Sequence, residues 1–161
     1  MSTNSLFDAK PEDPAAEARS KRRTRLILVA VVVLIVLGVV AYLNRNWPEE
    51  HVVDKFFNAI EKKDFETAYG IWRADPQWQQ HTDQYKQYPF GQFQLDWGPT
   101  GDYGYITKHD IRGSVAPKSN NSETSGVVVA VRVNDRAKAA CLWVEKSTKA
   151  ISFSPRECNA N

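Results

Sequence analysis

The chain of 161 residues holds two cysteines, Cys141 and Cys158, and three histidines, His51, His81 and His109. Those residue types suggest a metal site, a redox pair or a disulfide, and spacing removes the first two. The histidines stand thirty and twenty-eight positions apart, and none has a second ligand nearby of the kind that zinc sites use. Sixteen residues separate the cysteines, which excludes a C-x-x-C redox motif. No metal and no other cofactor is expected. The sequence also contains no glycine-rich phosphate loop and no G-x-S-x-G elbow. A set of large rings, Trp72, Trp78, Tyr85, Trp97 and Trp143, could line a ligand pocket or a partner surface. At helical and strand spacing such residues more simply fill a core.

What the cysteines do depends on compartment, which the other end of the chain addresses. Residues 26–43, L-I-L-V-A-V-V-V-L-I-V-L-G-V-V-A-Y-L, run without a charge. As a helix they reach about 27 Å, close to the roughly 30 Å hydrocarbon core of a bilayer. A cleaved signal peptide is the rival, but its apolar run spans only about 7–15 residues and follows a shorter leader. Arg19, Lys21, Arg22, Arg23 and Arg25 precede the run, whereas only Arg45 and Lys55 follow it closely. That bias keeps the N-terminus in the cytoplasm and delivers the C-terminal part outside. Tyr42 and Trp47 suit the far interface. Residues 1–25, rich in Ser, Pro, Ala and charge, are expected to be a disordered basic arm. Residues 44–47 form a short linker, and 48–161 form one domain. That domain carries 14 Lys/Arg against 15 Asp/Glu, which lacks the basic excess of a nucleic-acid binder.

Within the domain, Pro48-Glu49-Glu50 opens a helix whose stripe is Val52, Val53, Phe56, Phe57 and Ile60. Asp64 caps a second helix with Phe65, Ala68, Tyr69 and Trp72 on one face. Asp75-Pro76 repeats the start signal for a segment carrying Trp78, His81, Tyr85 and Tyr88. Pro89 restarts the pattern with Phe90, Phe93 and Trp97, and Gly98-Pro99 ends it. Strand texture follows. Residues 103–115 predict a first strand and 117–126 a polar loop. V-V-V-A-V-R-V, then Asn134-Asp135, then A-K-A-A-C-L-W-V-E predict a hairpin with a two-residue turn, Val129 facing Ala140 and Val127 facing Leu142. A second hairpin through K-S-T-K pairs Val144 with Ile151 and Leu142 with Phe153. Both registers put the aliphatic residues on one face. Helices followed by strands with one apolar face give an α+β domain, the helices packed on a curved antiparallel sheet.

The stretch V-V-D-K-F-F-N-A-I-E-K-K-D-F-E-T-A-Y-G-I-W, 52–72, with the strand-rich half behind it, resembles the NTF2-like superfamily, over about residues 48–154. F-G-Q-F-Q-L-D-W-G-P and L-W-V-E-K-S-T-K-A-I-S-F-S-P resemble a group of small membrane-anchored bacterial proteins of unassigned activity. The resemblance implies a cone of bent sheet wrapped on a long helix and two shorter ones. It implies a bacterial cytoplasmic (inner) membrane and dimerisation through the sheet. Enzymes of that superfamily place an acid or base inside the cone with a tyrosine donor, and the matching candidates are Asp96, His109, Asp110 and Tyr69. No catalytic motif of such an enzyme matches residue by residue. A non-catalytic binding or protein-interaction module is therefore the expected function, with a small acid–base enzyme as the alternative.

The hairpin register returns to the cysteines. Cys141 falls opposite Ser154, and a turn over Ser154-Pro155-Arg156-Glu157 would carry Cys158 back towards it. An exported domain permits a disulfide. The choice left open is between a structural bridge and two free thiols.

Overall fold

A long helix leads the chain and runs further back than the apolar segment. The computed structural model describes residues 14–116, 125–155 and 158, and α1 spans Pro14–Leu43. Residues 14–25 are thus helical rather than disordered. Pro14 suits a helix start, and A-A-E-A-R-S-K-R-R consists mostly of strong helix formers, so propensity extends the helix beyond the apolar run. Residues 1–13 of the expected arm lie outside the described residues. Lys21–Leu43 is long and apolar enough to cross a membrane, and none of it is buried against protein.

The chain divides between Arg45 and Asn46 into two compact units. The second is an α+β domain in which α2 (Trp47–Glu61), α3 (Phe65–Arg73) and α4 (Phe90–Trp97) precede β1 (His109–Val115), β2 (Gly126–Val133), β3 (Ala140–Glu145) and β4 (Ile151–Phe153). The sheet is antiparallel throughout, in the order β1-β2-β3-β4. Local chemistry explains the helix boundaries. Glu49 and Glu50 occupy the first turn of α2, behind Pro48. The Asp64 side chain accepts the Thr67 N–H at 3.1 Å and so caps α3. Ala74 ends α3 in the left-handed region.

Three expectations change. The segment after Asp75-Pro76 is not a helix but two short 3-10 turns, Trp78–Gln80 and Thr82–Tyr85. Asp75 spends its carboxylate on the Gln77 N–H, His81 and Tyr85, which folds the segment round one side chain. The first strand begins at His109, not 103, because Asn134 holds the preceding coil. Its Oδ1 accepts from the Thr107 N–H at 2.9 Å and its Nδ2 donates to the Tyr105 carbonyl at 2.6 Å. The β2–β3 register is displaced by two residues: Val129 pairs with Leu142, Val127 with Val144 and Val131 with Ala140. Asn134 and Asp135 do take left-handed conformations, and Arg136 N–H donates to the Val133 carbonyl as a tight turn requires. Extra irregular residues before β3 cause the slip. A shift of two preserves the faces, so the apolar set still points one way. The β3–β4 pairing is as expected.

The inner sheet face buries Val127, Val129, Val131, Leu142, Val144 and Ile151 against Val53, Phe56, Phe57 and Ile60 of α2. On the other face Trp143 lies flat across β2, where a Cβ on Gly126 would stand 2.4 Å from its ring. Cys141 and Cys158 are joined in a disulfide, with Cα atoms 5.7 Å apart. Ser154 N–H donates to the Cys141 carbonyl, so β4 lies within the covalent loop. Arg156 and Glu157, part of the expected turn, and residues 117–124 of the polar loop lie outside the described residues.

A buried ion pair fixes the β3–β4 turn to the start of α2. Glu49 is 3% exposed and its Oε1 lies 2.6 Å from Lys149 Nζ. Lys149 adopts a left-handed backbone to reach it. Among the described residues Glu49 Oε2 is buried with no hydrogen-bond partner, so Lys149 carries most of the compensation for that charge. Lys149→Met should therefore destabilise the domain by about 2–3 kcal/mol in urea unfolding followed by tryptophan emission, below the usual ~3–5 because the ammonium is partly exposed. Adding Glu49→Gln should restore more than half of the loss. Cys158→Ser should cost about 3 kcal/mol by loop-closure entropy, read by the same unfolding curves without reductant.

Candidate functional site

Helix α2 turns a second, polar stripe towards β1. Glu50, Asp54, Asn58 and Glu61 recur at helical spacing beside the apolar stripe. Glu50 Oε1 accepts from Ser114 Oγ at 2.5 Å. His109 places Nδ1 2.7 Å from Glu61 Oε1 and Nε2 3.1 Å from Asp54 Oδ1. Its ring stacks on Phe57 at 5.2 Å, and its side chain is 8% exposed. The arrangement joins β1 to α2 with both nitrogens occupied, leaving neither free to exchange a proton with a ligand.

A second polar cluster surrounds Arg73. Its guanidinium lies 5.3, 4.8 and 5.5 Å from the rings of Tyr69, Tyr85 and Tyr88, contacts in which a cation meets the negative ring face. Arg73 and Tyr69 both donate to the Tyr88 carbonyl. Tyr88 Oη donates to Asp96 Oδ2 at 2.8 Å, and Gln92 Nε2 donates to Asp96 Oδ1. Burial and then the Asp96 carboxylate raise the Tyr88 hydroxyl well above its ordinary range, with Trp97 opposing. The contact with His81, helped by Tyr85 and the Gln77 N–H, lowers the Asp75 carboxyl below its usual value. Burial and Asp75 raise the Tyr85 hydroxyl. These groups stitch the 3-10 segment to α3 and α4.

The four acid–base candidates do not meet. Tyr69 is 1% exposed and spends its hydroxyl on a backbone carbonyl. Asp110 lies on the outer sheet face, paired with Arg112. His109 is held between two carboxylates. Asp96 borders a cavity of about 600 Å³ with Leu95, Trp97, Asp102, Tyr103 and Phe153, yet both its oxygens already accept hydrogen bonds. The aromatic set divides too. Trp72, Trp78 and Trp97 are core, Tyr85 serves Asp75, and Trp143 occupies the opposite sheet face. Ring-to-ring packing fills the space between helices and sheet: Phe56, Phe57 and Trp72 lie 5.0, 5.7 and 5.6 Å from Trp97. Among the described residues no cluster of His, Cys, Asp and Glu could hold a metal.

A second cavity, of about 480 Å³, opens outside this core between α2, α3 and the turn after α3. Val52, Gly70, Ile71 and Trp78 give it an apolar floor, with Lys55 and Lys149 on its rim. Arg73, the Glu49–Lys149 pair and the Asp54–Glu61 clamp lie outside the residues that type and spacing single out. The polar stripe at 50, 54, 58 and 61 was a visible signal for the clamp, while Arg73 and Lys149 carried none beyond their charge. No family model, curated protein or solved structure matches the chain.

The Asp75 network gives an acid-sensitive segment. A carboxyl whose folded value lies below its unfolded one contributes stability above about pH 4, and that contribution is lost as pH falls through the folded value. Asp75→Asn should lower stability near neutral pH and flatten its decline between about pH 5 and pH 2. Urea midpoints measured across that range check it. A slope identical to wild type would assign the acid response elsewhere.

Proposed function

We propose that this chain is a membrane-anchored module that binds protein through the outer face of its sheet, without catalysis of its own. The observation that carries it is the filled interior. An acid–base enzyme on this plan needs a pocket where Phe56, Phe57, Trp72, Phe93 and Trp97 pack together, and its proton-transfer groups are dispersed and engaged. The order of helices before a curved antiparallel meander supports an NTF2-like cone. The lysine and arginine bias before α1 supports a cytoplasmic N-terminus, and the Cys141–Cys158 bridge supports a domain outside the cytoplasm, since such bonds persist in oxidising compartments. The inner membrane of a bacterium follows from the resemblance alone.

The outer sheet face supplies the contact surface. Val115 is 68% exposed on β1, opposite Val128 of β2, which in turn pairs with Trp143. Asp110, Arg112, Arg132 and Glu145 carry both signs of charge round that strip. A patch with both signs can pair with itself across a two-fold axis, so a second copy is the favoured partner. The alternative, acid–base chemistry at Asp96, rests on the cavity beside it. A photo-crosslinking side chain at position 115, in full-length protein in its membrane, should give an adduct of twice the monomer mass. Trp143→Glu should abolish that adduct. Efficient crosslinking from position 95 but none from 115 would move the contact away from the sheet face, and turnover lost in Asp96→Asn would establish the enzyme instead.

A further inference from the structure

We propose that the groove between α2 and α3 is a site for an anionic lipid, with the headgroup at Lys55 and an acyl chain over Val52, Ile71 and Trp78. Its volume, about 480 Å³, falls in the range of small-molecule sites. The floor is apolar because helical spacing puts Val52 on one wall, while Gly70 allows the next turn to come down on the other. A Cβ at Gly70 would meet the Asp75 carbonyl at 3.3 Å and the Trp78 ring at 3.5 Å. Trp78 is anchored there by its Nε1, which donates to the Glu66 carbonyl at 3.2 Å.

Charge sets the direction of the ligand. Lys149 is already committed to Glu49, whereas Lys55 is exposed and makes no ion pair among the described residues. Asp64 and Glu66 also line the groove. Asp64 lies beyond the end of α2, about 9 Å of helix past Lys55. The groove lining therefore carries an unpaired cation at the Lys55 end and carboxylates at the other, which favours a headgroup at Lys55. Trp47, His51 and Lys55 follow one another at four-residue spacing along α2. Trp47 is 56% exposed and stacks on His51 at 5.0 Å and 9°. An exposed ring followed by a cation is the pattern that favours a headgroup region, where the ring sits among glycerol and the ammonium meets phosphate. Residues 44–46 alone separate α1 from α2, so the lipids round α1 are the ligand at highest local concentration. That step rests on α1 being a membrane anchor. The groove is separate from the sheet face proposed above for protein contact.

The test uses the full chain in nanodiscs made with acyl-brominated phosphatidylglycerol or acyl-brominated phosphatidylcholine, diluted in unbrominated phosphatidylcholine. Bromine within contact range quenches tryptophan, and the difference between wild type and Trp78→Phe isolates the Trp78 emission. Brominated phosphatidylglycerol should quench Trp78 at least threefold more than brominated phosphatidylcholine. Lys55→Glu, a surface change, should remove that preference while the far-ultraviolet dichroism stays unchanged. Lys55→Arg should retain it, because the charge is kept. Equal quenching by the two lipids, no quenching of Trp78, or a preference untouched by Lys55→Glu would each overturn the lipid site. Failure of the chain to enter nanodiscs would instead count against the membrane anchor, a separate result.

Discussion

Everything in the domain hangs on α2 meeting two different surfaces at once. Its apolar stripe must bury Phe56 and Phe57 among Trp72, Trp97 and the valines of the sheet. The neighbouring stripe must satisfy Ser114 and His109 on β1. Large rings in edge-to-face contact bury roughly 150–250 Å² each, so the aromatic side sets the depth at which the helix lies. The polar side then fixes its rotation, since Asp54 and Glu61 bracket a single imidazole. A hydrophobic face alone tolerates sliding; two carboxylates on one buried ring do not. Glu49, one turn earlier, adds a third fixed point through Lys149.

How legible this was in the sequence depends on the kind of pattern involved. Period was readable: the stripe at 53, 56, 57 and 60 and the alternation through β3 placed the helix and the buried sheet face. The cap at Asp64 was readable because it acts on a residue three positions away. Register was not, since the irregular residues after Asn134 carry no spacing signal and faces alone cannot distinguish a slip of two. The coil before β1 was hidden for another reason. Asn134 reaches it across almost thirty positions, and a single carboxamide overrides the strand-like run Y-G-Y-I-T. Composition suggested disorder through residue 25, but the strong helix formers in residues 14–25 continue the helix of the apolar run.

The candidate site was less legible than the fold. Asp96, His109 and Tyr69 are residue types that can move protons, but their work depends on partners far off in sequence. Tyr69 and Asp96 are linked through the backbone and side chain of Tyr88. His109 is bound by groups 48 and 55 positions away. Such contacts turn reactive side chains into structural ones, and type alone cannot reveal it. The cysteines are the opposite case, because hairpin geometry by itself brings their strand and tail together.

That bond has a consequence for how copies of the domain can associate. Residues 141 to 158 form a covalent ring, and β4 lies inside it, hydrogen-bonded to β3. A strand within a closed ring cannot leave its own sheet and insert into a neighbour's without breaking the disulfide. Swapped dimers and open-ended chains of exchanged β4 strands are thereby denied to the oxidised protein. A short edge strand of three residues, ordinarily the easiest to lose, is instead tied to its own β3 at both ends.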